Sequence, residues 1–392
     1  MLPLDGIVVV ALEQAVSAPF ATRHLADLGA RVIKLERPQT GDFARHYDGA
    51  VRGMGASFVW LNRSKESLTL NLKHAQAAEI MSRLLERADV FLQNLAPGAA
   101  ARLGLSFETL HAKYSRLIVC DISGYGDSGP YRDKKAYDLL IQGESGLISI
   151  SGTPEVPAKS GISIADISAG VYAYSGILAA LLQRERSGKG SRVEISMFET
   201  MCEWMQFPLY YTQLGGLPFP RSGPNHPAIW PYGPFRTGDG KAVIIGIQND
   251  REWKEFCQYV LKAPELSEDA RLNSNSGRVV NRELVTSIIE TALAQFQMND
   301  LLEVLDGVGI ANSQMNDLAA VWNHPQLQSR KRWRTVDSEV GPISFLLPPG
   351  MPNGKEPRTA RIPGLGAQNN ALLAELGYTQ AEIEGFRAGG VL

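Results

Sequence analysis

The stretch KSGISIADISAGVYAYSGILAALL sets a lone carboxylate, Asp166, where its charge could do chemistry. A short β-type run, Gly161 to Ala165, precedes it, and a long helix rich in small residues is predicted from near Ser168. A carboxylate at that junction meets the positive end of the helix dipole and unpaired backbone N–H groups. It is therefore expected to stay ionised and to point out from the sheet edge. The bland alternative is an ordinary N-cap, since Asp is a favoured capping residue.

Other site chemistries fail on residue type or spacing. The turn after the first apolar run reads EQAVSAP, with no glycine to let a pyrophosphate approach the backbone. The acid that follows the second run, Glu36, could bind a ribose in a dinucleotide site, but without G-x-G-x-x-G that reading is weak. The chain has no G-x-S-x-G elbow and no Walker A loop, and no two of its six histidines lie at i, i+4. Cys120, Cys202 and Cys257 are scattered, with no CxxC pair and no nearby histidine at ligand spacing. They suit buried thiols in a reducing compartment, and neither a metal nor a resident cofactor is expected.

The elements around Asp166 alternate. GIVVVALE (6–13), ARVIKLE (30–36), SLTLNL (67–72), DVFLQN (89–94) and RLIVCDI (116–122) read as buried strands. The first helix is expected to be capped by Ser17, with Pro19 just inside, and closed by Gly29. Further helices are predicted over 75–88 and 136–147, and RVEISMFE (192–199) follows the Asp166 helix. This recurrence implies an α/β fold with a doubly wound parallel sheet. Beyond Gly215 the sequence turns Pro- and Gly-rich and then reads as a smaller α+β unit. The expected domains are 1–215, completed by 345–392, and 225–330, joined by a linker over 331–364 that includes the extended run FLLPPGMPNGKEPRTARIPG.

With 392 residues, 44% hydrophobic and 20% charged, the chain can bury the cores of two domains. A net charge of −2 gives no electrostatic case for nucleic acid or an anionic membrane. No basic leader and no span-length apolar run is apparent, so the expected location is cytoplasmic.

Several blocks then occur in a telling order: LPLDGIVVVALEQAVSAPFATRHLADLGARVIKLERPQTGDFAR, FVWLNRSKESLTLNLK, ADVFLQNLAPGAAARLGL, LIVCDISGYGDSGPY, KAYDLLIQGESGL, and the Asp166 segment through ERSGKGSRVEISMFE. Together they resemble the class III CoA-transferases, the group that includes formyl-CoA transferase, carnitine CoA-transferase and α-methylacyl-CoA racemase. By that resemblance Asp166 is the aspartate that forms covalent intermediates. Arg37, Lys73, Asn94, Leu95, Arg102, Lys135, Ala15, Val16 and Leu70 fall on CoA-holding positions, and Tyr137 falls beside the thioester. Dispersed cations suit the phosphates of CoA, although each alone also reads as a solvated surface charge. Asn94 could equally be a turn residue, and Tyr137 a helix residue facing the core. Where some members carry a glycine-rich shielding loop, this chain has SGPNHPAIWPYGPF.

The resemblance implies exchange of CoA between an acyl-CoA and a free acid, with CoA as substrate and no histidine base. The donor is expected to be succinyl-CoA or another dicarboxylyl-CoA, and the acceptor a C4–C6 dicarboxylate such as itaconate, mesaconate, citramalate, malate or glutarate. A second carboxylate needs a cation, for which Arg45, His46 and His226 are candidates. Arg45 could instead be a surface residue or a fixed ion pair, and His226 a plain loop residue. A racemase of the same family is the alternative, but such enzymes carry His where this chain has Tyr137, and a phenol is a poor base near neutrality. A CoA-binding protein without turnover is the third reading. The resemblance also implies an interlocked-ring homodimer.

Overall fold

A computed structural model describes all 392 residues. Six parallel strands form one sheet: β1 (Val8–Leu12), β2 (Arg31–Glu36), β3 (Lys65–Thr69), β4 (Val90–Gln93), β5 (Ile118–Ser123) and β6 (Arg192–Ser196). Their order is β3-β2-β1-β4-β5-β6, so the chain winds outward from β1 in both directions. Strand alternation gives the sheet two different faces. Val10 and Leu12, Ile33 and Leu35, and Leu68 point into an apolar core shared with Ile80, Met81, Leu84 and the C-terminal Leu373 and Phe386. The intervening positions Glu13, Lys34, Glu36, Lys65 and Ser67 fall on the opposite face, and all are buried.

The chain divides into two units, one of Met1–Gly146, Ser160–Phe207 and Ser329–Leu392, the other of Leu147–Lys159 and Pro208–Gln328. The second unit therefore starts earlier than the small domain expected from 225, and it takes in a segment from the middle of the large one. Its antiparallel sheet is β7 (Tyr232–Arg236), β8 (Ala242–Gly246) and β9 (Ala311–Gln314), in that order. Helices cover it around Trp253, Phe256, Ile289 and Leu301. The presumed linker needs correcting. Within 331–364, β10 (Trp333–Val336) pairs antiparallel with β11 (Ile343–Leu346). The alternation in WRTV and ISFL carries this hairpin, and Val336 and Ile362 pack with Ala44 and Phe58 of the first unit. The segment is a built part of that unit and no mere spacer.

Candidate active site

Asp166 sits inside a helix, not ahead of one. The helix runs Ile164–Ser187, so Asp166 is its third residue, and no strand precedes it. The capping work expected of it is done by Asp138. One oxygen of Asp138 accepts the N–H of Ala165 at 2.8 Å and that of Asp166 at 3.2 Å. Its other oxygen accepts from Gln142 at 2.7 Å, and Gln142 in turn accepts the N–H of Ser160 at 2.8 Å. Asp138 and Gln142 stand four apart in the helix Asp138–Glu144, which puts both on one face. That i, i+4 polar pair in KAYDLLIQ was the available signal for them, and the sequence reading passed over it.

Relieved of capping, Asp166 has no cationic partner. Burial first, and the Asp138 carboxylate second, push its pKa up from 3.8 to about 7, against a hydrogen bond from Ser17 that lowers it. The expectation of a firmly ionised carboxylate is corrected accordingly. The helix dipole favours the anion, but desolvation and a like charge at the same terminus outweigh it.

The Ser17 and Asp166 helices approach closely. Gly170 lies one turn beyond Asp166 on the same face, and a Cβ there would stand 2.7 Å from the Ser17 carbonyl oxygen and 2.9 Å from the Phe20 ring. Ser17 is the first residue of the helix Ser17–Asp27, whose N-cap is Val16, so its side chain is not the cap expected for it. The turn before it is held from two sides. Asn94 accepts the Gln14 N–H at 2.9 Å, donates to the Gln14 carbonyl at 2.9 Å, and donates to the Ser17 hydroxyl at 3.1 Å. Asp42 accepts the Ala15 N–H at 2.9 Å, and Ala15 takes a left-handed conformation with φ 62°. Two of the turn's backbone donors are thus spent inside the protein, which adds to the absence of glycine in disfavouring a pyrophosphate there.

The face of the sheet beneath this turn is ionic. Lys34 bonds Asp42 at 2.7 Å and Glu13 at 3.3 Å, Lys65 bonds Glu13 at 2.7 Å, and Thr22 donates to Glu13 at 2.6 Å. Burial drives the Lys34 pKa down, but Glu13, Asp42 and Glu36 together raise it above its ordinary value. Burial raises the Glu13 carboxyl, and Lys65 and Lys34 bring it below the usual range.

The remaining sequence candidates separate into three groups. Arg37, Lys73, Arg102 and Lys135 are exposed and make no ion pair; Arg37 lies over the Phe43 ring at 5.2 Å. The neighbouring Lys134, by contrast, is paired with Glu144. Tyr137 is 72% exposed at the start of the Asp138 helix and does not face the core. A second group is occupied structurally. Leu70 lies in the main core with Leu95 packed against it, and Val16 packs with Phe20, Leu61 and Ile167. Asn94 spends its amide on the 14–17 turn as described.

The third group is the acid-substrate cations. Arg45 is committed to Glu36 through two bonds of 2.8 Å, donates to the Pro363 carbonyl, and stacks on Phe58 at 3.8 Å. It is the fixed ion pair and not a free cation. Burial lifts the Glu36 carboxyl, but Arg45, Lys34 and Ser67 bring it down to about 2. His46 is exposed, with its ring 3.1 Å from the Thr40 carbonyl. His226 belongs to the second unit, where it stacks on Tyr232 and accepts the Ala228 N–H at 3.1 Å. Burial and then Arg282 lower its pKa, which disfavours the cationic form expected of it. One residue was missed entirely. The Tyr47 hydroxyl is raised in pKa by burial and then by Asp42, Asp166 and Tyr137, which locates it among the site carboxylates. It follows directly on the GDFARH run, whose aromatic end drew no attention.

Known proteins now bear on this geometry. The sequence profile of CoA-transferase family III matches residues 4–369. The chain belongs to CoA-transferase family III. It is 36% identical over 330 residues to an acetyl-CoA:oxalate CoA-transferase of Acetobacter aceti, covering 84% of each chain. It is 32% identical to the mouse succinyl-CoA:glutarate CoA-transferase, over 100% of this chain and 91% of that one. A crystal structure of a CAIB/BAIF family protein from Brucella suis superposes with a TM-score of 0.85 at 34% identity, covering 96% of this chain and 99% of that one. The mixed α/β architecture is that of the family, and the chain is a CoA-transferase acting on CoA thioesters.

Proposed function

We propose that this family III enzyme moves CoA from succinyl-CoA, or another dicarboxylyl-CoA, to a C4–C6 dicarboxylate through a covalent intermediate on Asp166. The observation that carries the reading is a carboxyl with no cation beside it, poised near neutrality at a helix start. Partial desolvation makes the anion a better nucleophile, and the ionised fraction at about pH 7 remains large.

The steps balance without a proton acceptor. The Asp166 carboxylate attacks the thioester carbonyl and CoA leaves as thiolate, giving a mixed anhydride. The thiolate then attacks the aspartyl carbonyl, releasing the first acid and leaving an aspartyl-CoA thioester. The acceptor carboxylate attacks that thioester, and the displaced thiolate attacks the acceptor's carbonyl, which restores Asp166. The thioester's free energy is conserved throughout, as covalent catalysis allows. Arg37, Lys73, Arg102 and Lys135 would meet the phosphates of CoA, since none has a carboxylate partner of its own.

The dicarboxylate class rests on the acids named for the relatives, oxalate and glutarate. A panel of mono- and dicarboxylic acids with succinyl-CoA, read by mass, should give product with C4–C6 dicarboxylates. Transfer to monocarboxylates alone would sink this reading. Exchange of an α-proton in deuterated water without any acceptor would point instead to a racemase. We further propose that the active form is an interlocked homodimer, so light scattering at micromolar concentration should return twice the chain mass. A stable monomer with full activity would refute it.

A further inference from the structure

We infer that Asp121 is a positioning residue for CoA binding: through Gln93 on one side and Arg192 on the other, it ties together the two loops that carry Arg102 and Lys135. This rests on the role proposed for those two cations at the CoA phosphates.

The tie is built at the C-terminal ends of three neighbouring strands. Register places Gln93 of β4 beside Asp121 of β5, and Asp121 beside Glu194 of β6. Arg192, two residues before Glu194, shares its face of the sheet. Along that face the bonds run in one line. Gln93 accepts the Leu95 N–H at 2.7 Å and donates to one Asp121 oxygen at 2.9 Å. Arg192 donates through Nε to the other Asp121 oxygen at 3.0 Å, and through Nη1 to Asp127 at 2.6 Å. Glu194 accepts the Asp127 N–H at 3.0 Å, which fixes that loop a second time.

Each end of the line leads to one of the two cations. Beyond Leu95, Gly98 is left-handed with φ 70° and starts the helix Ala99–Arg102. A Cβ at Gly98 would stand 2.9 Å from Nη1 of Arg102, so the guanidinium folds back over the turn that Gln93 holds. At the other end, a Cβ at Gly124 would collide with that of Ala136. The loop 124–135 therefore closes back on the end of β5 and brings Lys135 there. Arg102 and Lys135 are exposed and make no ion pair, so their spacing depends on the backbone beneath them.

Only a carboxylate meets the demand at position 121. The Leu95 N–H needs an oxygen, so Gln93 must turn its oxygen to Leu95 and its NH2 to residue 121, and Arg192 has donors alone. Residue 121 must accept from both. Asparagine would accept from one and set its own NH2 against the other donor. Gln93 is buried and the Asp121 side chain is 14% exposed, so water cannot readily take the missing place.

The test is calorimetry of CoA binding to the full chain, beside kinetics with succinyl-CoA. Asp121→Asn is expected to weaken CoA by about tenfold, the scale of one lost bond to a charged group. The KM for succinyl-CoA should rise in step with kcat little changed, because the reacting carboxyl is untouched. Adding Gln93→Glu to Asp121→Asn exchanges the two chemistries. The new carboxylate at 93 accepts from Leu95 and from the new amide at 121, whose oxygen is left for Arg192, so most of the affinity should return. In a chain already carrying Arg102→Ala and Lys135→Ala, Asp121→Asn should cost nothing further, since it acts only through those cations. Wild-type CoA affinity in Asp121→Asn would overturn the inference. So would a loss that the exchange fails to repair, or one that persists undiminished without the two cations, the pattern of a packing defect. Arg102→Ala and Lys135→Ala chains that bind CoA as tightly as wild type would instead overturn the role of the cations themselves, whatever Asp121 does.

Discussion

Asp166→Asn should abolish CoA transfer, by at least about a thousandfold or ~4 kcal/mol of barrier, and yet make the folded protein more stable at alkaline pH. The activity loss follows because an amide cannot form the anhydride. The stability gain follows from linkage. The folded carboxyl has a pKa raised to about 7 from 3.8, so the folded state holds a proton that the unfolded chain has already released. Stability therefore falls as pH rises above about 4, and the penalty is complete above about 7. Asparagine keeps the shape without the charge and removes that penalty. Melting temperatures should favour Asp166→Asn at pH 8, with the two proteins converging near pH 4. A capping residue would behave otherwise: Asp166→Ala would cost ~1 kcal/mol and leave turnover measurable. An Asn variant that melts lower than wild type at pH 8, or that retains a tenth of the activity, would return Asp166 to that lesser role.

The strands, and Asp166 as a candidate residue, were legible in the sequence because both rest on local signals. Continuous apolar runs such as VVVAL and IVCDI mark buried parallel strands wherever they fall, and a carboxylate before a small-residue helix is visible in a single window. Its environment was not legible. Asp138 lies twenty-eight positions from Asp166 and Asn94 seventy-seven from Ser17, so neither the cap nor the hydroxyl's partner could be assigned by spacing. The same limit misled the reading of Arg45. From sequence it was a cation near an acidic turn, but register puts Glu36 at the end of β2 on the face that Arg45 reaches. The hairpin in 331–364 was hidden by prolines on either side, which drew attention away from two short alternating runs.

The buried charges beneath the turn lead to the second large effect. Lys34→Met should destabilise the first unit by ~3–5 kcal/mol at neutral pH, because it strands buried carboxylates and does not exchange a pair for apolar contact. Glu13 would keep Lys65, but Asp42 would lose its only cation. The sign with pH follows from the folded pKa values. The raised Lys34 contributes stability that is present below about 10 and is lost only as pH climbs through its folded value. The deficit in Lys34→Met should widen as pH rises through about 7, because burial and Lys34 hold Lys65 down to about 7 in the wild type and removing Lys34 lets Lys65 keep its proton to higher pH. It should narrow in acid, as Glu13 without Lys34 takes up a proton more readily. A second substitution, Asp42→Leu, should fail to restore stability, although replacing both members of a buried pair often does. Asp42 also accepts the N–H groups of Ala15 and Ala44 at 2.9 Å, and a leucine would leave both unpaired. Urea midpoints of the single and double variants at pH 5 and pH 7 decide the matter. If Asp42→Leu rescues Lys34→Met, the network is an interchangeable core. If it does not, the network holds the left-handed turn at Ala15 that leads into the Ser17 helix.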